Sequence, residues 1–393
     1  MKHEPLLPLE TLREARHITD PVADGVVDRI LAEDAVKIND VFNTITRNRD
    51  LANADLPPYV HTFFKEQGVL PAWMDQDLVA VGQDVFRRYG VEVSILLNYL
   101  SLPAAYACPK GARVLFATGR LTDKDGDINR LAYRLMETAQ FVVDVMQPGA
   151  FEPASNGIEV ALRIRLVHAA IRHFLRARGS WNTAENGEPV NQEDMAGTLQ
   201  SFSSMIIHGL LKMGVPLSER EQEGYYHCWR VVGHLIGLKP EMAPKTYPEG
   251  LRLGFQILED QKGRSEEGKA LMDALVDFML FMEPVHPFGR HLPALMIRYF
   301  VHENIGDVIT LGKVPEFWER FLYRLFRFFI YVQTLFGRPR HHWVNNHVNG
   351  MKNSFLQKML DHFNHHKKIW FDIPPSLRDD WKIDDSGRIV GKQ

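Results

Sequence analysis

Cysteine is nearly absent from this 393-residue chain: Cys108 and Cys228 stand far apart and form no CxxC or CxxCH arrangement. That excludes zinc ribbons, thioredoxin-type redox chemistry and covalently attached c-type haem, and nothing suggests a disulfide-stapled scaffold. A dominant charge is missing too. Lys plus Arg number 46 against 49 Asp plus Glu, a formal charge of −3, so no nucleic-acid partner is expected. Glycine (28) and proline (22) are at ordinary usage, which sets aside collagenous and disordered classes. The most apolar late stretch, around Phe328 to Phe336, is interrupted by Arg327, Gln333 and Arg338 and is too short to span a bilayer. The opening MKHEPLLPLETLREARH has no continuous apolar segment and no twin-arginine pair, so a soluble, cytoplasmic protein is expected. GxxxxGK[ST], GxGxxG after a strand, HExxH and GxSxG are all lacking.

What is present is helical periodicity, with hydrophobic residues at 45% and few alternating runs. From Asp127 to Val145 the apolar residues Ile128, Leu131, Ala132, Leu135, Ala139, Val142 and Val143 recur at three- and four-residue steps. A second helix is predicted from Asn156 to Arg178, stopped by Gly179. A third opens at Asn191, with Asp194 three residues on, and ends near Met213-Gly214. Ser218-Glu-Arg-Glu221 is a capping box for a helix closed by Gly237. Further helices are predicted over Glu249–Asp260, Ser265–Met282, Pro293–Glu303, Pro315–Phe336 and Asn353–His366. The chain reads as all-α: an N-terminal helical extension (1–79), a main helical domain (80–350), and a C-terminal helix and tail (351–393).

Seventeen histidines invite a search for metal ligands. Glu14-Ala-Arg-His17 and Glu283-Pro-Val-His286 have the Glu-x-x-His spacing of a di-iron bundle, but the second contains a proline and reads as loop. His341, His342, His347, His362, His365 and His366 form a C-terminal zone whose neighbouring Lys and Arg suit a solvated face. His227 and His234 lie two helical turns apart and read as core or interface histidines satisfied by hydrogen bonds.

More informative is Arg165-Leu-Val-His168-Ala-Ala-Ile-Arg172-His173. Arg165 precedes His168 by three positions and Arg172 follows by four, so all three share a helical face, and small Ala169 and Ala170 would let a flat ligand approach. An imidazole between two guanidiniums suits an iron porphyrin with its propionates. The same pattern also fits the exposed basic face of an amphipathic helix.

This stretch resembles the haem helix of the catalytic domain shared by latex clearing protein (rubber oxygenase) and the mycophenolate-pathway oxygenases. The order continues with Asn191-Gln-Glu-Asp194-Met-Ala-Gly197-Thr198, His227-x-Trp229-Arg230-x-x-Gly233-His234 and Arg298 in Leu-Met-Ile-Arg-Tyr. The resemblance spans roughly residues 80 to 345. It implies a globin-like helical core around one non-covalent haem b, with His168 as proximal iron ligand. It further implies Arg165, Arg172 and Arg298 as cofactor contacts, Arg165 and Arg172 alternatively ordering the ligand helix. It also implies O2 chemistry on an apolar, isoprenoid-like small molecule, with oxidative C=C cleavage the leading reaction. On the distal side Arg134-x-x-Glu137-Thr138 lies where rubber-cleaving members have Arg-x-x-Lys-Thr, which makes Arg134, Glu137 and Thr138 the catalytic candidates. Glu137 in place of lysine, and no carboxylate in Phe116-Ala-Thr-Gly-Arg120, set this chain apart from the rubber-cleaving members. Two other readings stand beside the oxygenase: a non-catalytic haem sensor or carrier, and a haem-free bundle in which the histidines are packing.

Overall fold

The computed structural model describes residues 4–34, 41–42, 44–45, 54–117, 128–152, 155–177, 179, 181–282, 291–301, 305, 308–309, 317, 321 and 324. For 128–134, 281–282, 291–292 and 295 the backbone alone is described. Every regular element among these residues is helical. The predicted helices at 315–336 and 353–366, the Glu283–His286 pair and the C-terminal histidine zone lie outside them.

Capping chemistry sets several helix starts. Helix α1 is Leu9–Ala15, α2 Pro21–Asp34 and α3 Pro58–Gln67. Helix α4, Gln76–Leu96, starts at Asp75, whose side chain accepts from the Leu78 amide, and runs through the boundary drawn at residue 79. It continues as a π-turn, Leu97–Ser101, into α5, Leu102–Tyr106, before α6, Pro109–Ala117. Helices α7, Ile128–Met146, and α8, Asn156–Ala177, fall where the periodicity puts them, and short α9, Thr183–Asn186, follows.

The predicted helix from Asn191 to Met213 is two helices, α10 (Gln192–Phe202) and α11 (Ser204–Lys212). Between them Ser203 leaves helical space at φ −116°, ψ −88°. Serine chemistry accounts for the break. Ser203 Oγ donates to the Leu199 carbonyl at 2.7 Å, and Ser204 Oγ lies 3.4 Å from the Gln200 carbonyl, so hydroxyls compete for the helix's own acceptors.

Helix α12, Glu219–Leu235, carries the reciprocal Ser218–Glu221 box and ends at Gly237, φ +84°. Helix α13, Tyr247–Gln261, begins two residues before the predicted Glu249 because Thr246 and Glu249 form a second such box. Helices α14, Glu266–Met282, and α15, His291–Val301, complete the set. No single helix among the described residues is long and apolar enough to cross a membrane.

Helices α4 and α12 pack closely against each other. They cross at Gly82 and Gly224, where a Cβ on Gly82 would stand 2.2 Å from the Gly224 carbonyl oxygen. Only glycine permits that approach. Around the crossing a large core gathers Leu96, Leu100, Tyr225, Cys228, Val231, Val232 and Leu235. A second core joins Ala23, Val27 and Ile30 of α2 and Val60 and Phe63 of α3 to Leu166, Ala170 and Phe174 of α8. Helix α8 therefore stands between the two, with α2 on one side and α7 and α12 on others. The segment before residue 80 feeds both cores, since Leu12 and Ala15 of α1 enter the larger one.

Candidate functional site

Helix α8 owes its central place to composition. Gly157 in its first turn lies so close to the preceding turn that a Cβ would meet the Ala150 carbonyl oxygen at 2.5 Å. From Ala161 to Arg172 every residue is buried except His168, which is half-buried. The one half-buried side chain in that run is thus an imidazole, followed by buried Ala169 and Ala170.

The arginines on either side of it have partners on the N-terminal helices. Arg165 donates from Nε to Asp20 Oδ2 at 2.5 Å, from Nη2 to Asp20 Oδ1 at 3.0 Å and from Nη1 to Gln67 Oε1 at 3.1 Å. All three nitrogens are engaged, and the guanidinium lies 5.6 Å from the centre of the Phe63 ring. These are the contacts of a residue that orders the helix. Arg172, fully buried, donates from Nε to Asp24 Oδ1 at 2.6 Å and from Nη1 to the Val190 carbonyl at 3.1 Å. Its Nη2 is buried with no hydrogen-bond partner among the described residues. His173 Nδ1 meets Asp28 at 3.0 Å. Asp20, Asp24 and Asp28 recur every four residues along one face at and within α2, opposite Arg165, Arg172 and His173. Sequence reasoning named the basic row and missed the acidic one, although its spacing is legible.

Helix α7 packs along α8. It carries Glu137, 2% exposed, and half-buried Thr138 one position on. Arg134 lies one turn earlier on the same helix, in the part described by backbone alone. Phe141 and Leu135 are half-buried against the larger core, and the Phe141 ring meets Trp229 of α12 edge-on at 6.3 Å. Nearby Arg163 of α8 holds Glu159 at 3.0 Å, and burial lowers its pKa below the usual guanidinium value. Arg298 is on α15, whose main neighbours are the π-turn, α14 and α5 rather than α8.

His227 and His234 bind a loop. His227 Nε2 accepts from the Asp75 amide at 2.9 Å, and His234 Nε2 meets the Val69 carbonyl at 3.2 Å. Trp73 stands edge-on to both rings, at 5.6 and 6.4 Å, with the Arg230 guanidinium 4.3 Å from its centre. Burial, with the Arg230 charge adding to it, lowers the His227 pKa.

The Asn191–Thr198 motif is also structural. Asn191 caps α10 by accepting from the Asp194 amide, and Gln192 ties the Thr19 and Gly237 carbonyls. Buried Glu193 and half-buried Asp194 share Arg16, at 2.8 and 2.9 Å. Burial raises the Glu193 pKa to about 7, against the opposing pull of Arg16 and with the Asp194 charge reinforcing it. Among the described residues no group of three His, Cys, Asp or Glu side chains is arranged to hold a metal ion, and Glu14 and His17 are exposed on and beside α1.

Residues 87–339 match the family described as ER-bound oxygenase mpaB/B'/rubber oxygenase, catalytic domain. Rubber oxygenase of Streptomyces sp. (strain K30) is 27% identical over 299 residues, 75% of this chain and 70% of that protein. The solved structure of latex clearing protein in its closed state aligns with a TM-score of 0.73 at 24% identity, over 92% of this chain and 95% of that one. The likeness to that structure is one of all-helical fold.

Proposed function

Because the chain belongs to the catalytic-domain family of ER-bound oxygenase mpaB/B' and rubber oxygenase, we propose that it is a haem b-dependent oxygenase cleaving a C=C bond of an apolar, isoprenoid-like substrate with O2. The reaction balances without an external reductant. The C=C and O–O bonds break, two C=O bonds form, and both oxygen atoms leave in carbonyl products.

The observation that carries the reading is His168, the half-buried position in the otherwise buried run from Ala161 to Arg172 of a helix that lies wholly within the matched region. A single imidazole suits a metal that arrives with its equatorial ligands already supplied. Arg172 adds a second point of fit. Its unpartnered buried Nη2, four residues from His168, is a donor that an acidic group on the cofactor would satisfy. When bound, haem b supplies the iron at which O2 is activated.

The residues divide the remaining work. His168 holds the cofactor, Arg172 receives an acidic group, and Arg165 keeps the helix in register through Asp20. Arg298 is a further cofactor contact on resemblance alone. On α7, Thr138 offers a hydroxyl to O2 or water, Glu137 is the proton-transfer group, and Arg134, one turn earlier on the same helix, is the third catalytic candidate. Glu137 in place of the lysine of rubber-cleaving members, with no carboxylate in Phe116-Ala-Thr-Gly-Arg120, counts against polymeric rubber itself as the substrate.

Absorbance of protein purified from cells supplied with haem tests the cofactor. A Soret band is expected, and His168→Ala is expected to fold but to retain little haem. Full haem retention with an unchanged spectrum in that variant would sink the assignment. Oxygen uptake with a panel of alkenes then separates an oxygenase from a sensor or carrier, for which uptake would stay at the no-substrate level.

A further inference from the structure

The loop from Gly187 to Asn191 joins α9 to α10 and is bonded to α8. Two of its residues have positive φ, Gly187 at +75° and Val190 at +50°. Glycine takes that conformation freely, whereas a branched Cβ is crowded against the backbone there. Val190 is the one non-glycine residue with positive φ among the described residues. A turn alone calls for Gly, Asn or Asp at such a position.

Strain of this kind persists where surrounding contacts over-determine it. Here they hold the loop on both sides of Val190. The Glu188 amide donates to the Arg16 carbonyl at 2.8 Å, and the Glu188 carboxylate pairs with Arg176 of α8 at 2.7 Å. Asn191 Nδ2 donates to the Glu188 carbonyl at 2.8 Å, while Asn191 Oδ1 accepts from the Asp194 amide at 2.9 Å. The half-buried Val190 side chain packs against both cores.

The group this conformation delivers is the Val190 carbonyl. It accepts from Arg172 Nη1 at 3.1 Å, and Asp24 Oδ1 accepts from Arg172 Nε at 2.6 Å. Two partners on different segments thus fix the plane of a guanidinium that has no solvent exposure. Nη2 is the nitrogen they leave without a partner among the described residues, one turn beyond His168 on α8.

We infer that Val190 is a positioning residue for the cofactor: its left-handed backbone keeps the carbonyl on Arg172 Nη1 and so holds Nη2 ready for an acidic group. The inference rests on the haem reading given above and assigns no chemistry to the valine itself. An arginine anchored at Asp24 alone would swing about that contact, and ordering it would count against binding. The strained loop does the ordering before the cofactor arrives.

Haemin titration of the haem-free full chain, followed at the Soret band, tests this. Val190→Gly keeps φ +50° accessible and should bind within about twofold of the parent. Val190→Pro fixes φ at roughly −65°, turns the carbonyl away, and should weaken binding about tenfold or more, the scale of one charge-assisted hydrogen bond. In a background of Asp24→Asn with Arg172→Met, which removes the anchored group, Val190→Pro should weaken binding no further. A packing role alone predicts the same fold loss in both backgrounds. Urea unfolding of the haem-free chain covers a proline variant that does not fold. Val190→Gly relieves strain only while Arg172 holds the carbonyl, so its midpoint change should be more favourable in the parent than in that background. Equal haemin affinity in parent and Val190→Pro, equal loss in both backgrounds, or an equal midpoint change overturns the inference. A parent without saturable haemin binding overturns the cofactor reading and this inference together, which marks that failure off from the others.

Discussion

Arg165 and Asp20 meet in a two-pronged ion pair, Nε to Oδ2 at 2.5 Å and Nη2 to Oδ1 at 3.0 Å, with side chains only 9% and 5% exposed. Removing one member leaves a charge buried without its counterpart. Asp20→Asn should therefore cost about 3–5 kcal/mol, measured by urea unfolding. Replacing both, as Asp20→Leu with Arg165→Met, should recover most of that loss. A double variant no more stable than the single one would mean that the pair specifies packing beyond its charges.

The helix crossing at Gly82 should tolerate no side chain. An added Cβ there meets backbone of Gly224 at 2.2 Å and the Cys228 sulfur at 2.7 Å, so the helices must part. Gly82→Ala is expected to destabilise by roughly 3 kcal/mol. Gly25→Ala, within α2 with nothing inside 4 Å, should stabilise by about 0.5–1 kcal/mol through helix propensity. Thermal melts of the two variants should move in opposite directions.

His227 makes acid a threat to the 68–75 loop. Its pKa is lowered below 6.5 by burial and by Arg230. Above 6.5 both folded and unfolded states leave it neutral, and the Asp75 contact is present in full. As pH falls below 6.5 the unfolded chain takes a proton that the folded one resists, so stability drops until the folded pKa is passed. Melting temperatures at pH 5 and pH 7 should differ less in His227→Gln, which cannot titrate. An equal difference would clear His227 of the effect.

Glu193 acts in the opposite direction. Its pKa is raised from 4.5 to about 7, burial outweighing Arg16. Below 4.5 both states are protonated, whereas between 4.5 and 7 the folded state keeps a proton that the unfolded state has released. Stability contributed here therefore falls as pH rises through that window and levels off above it. Glu193→Gln should gain on the parent at pH 8 relative to pH 5 in urea unfolding. A variant that loses more at pH 8 would show the carboxylate to be charged and stabilising.

For the proposed reaction, Glu137→Gln should keep the helical fold and the haem spectrum while slowing turnover by about 10²-fold or more, the usual scale of general acid–base assistance. Turnover equal to the parent at every pH would remove Glu137 from the chemistry.

How much of this could be read beforehand follows from where the signals are local. Ser218 and Glu221, or Asn191 and Asp194, carry their meaning within one turn, and the helices begin where those pairs say. Ser203 does not. Apolar spacing runs on from Leu199 through Phe202 to Ile206, so periodicity passes over a break made by two hydroxyls. His168 stood out as a candidate because its neighbours resemble a family pattern. The partners of Arg165 and Arg172 were not, since Asp20 and Asp24 come from a segment far away in the chain and outside the matched region. The flanking arginines looked like ligand contacts because nothing nearby in sequence offered them a carboxylate.

The position of α8 between two cores has a consequence for anyone cutting the chain to its family-matched region. A fragment spanning 87–339 would keep every residue proposed to touch cofactor or substrate and would lose α1, α2 and α3. Leu166, Ala170 and Phe174 would then face water along the very helix that carries His168, and Arg165 and Arg172 would lose their aspartates. The catalytic family and the folding unit are therefore different lengths of chain. Helices α2 and α3 are the wall against which the helix of His168 is built.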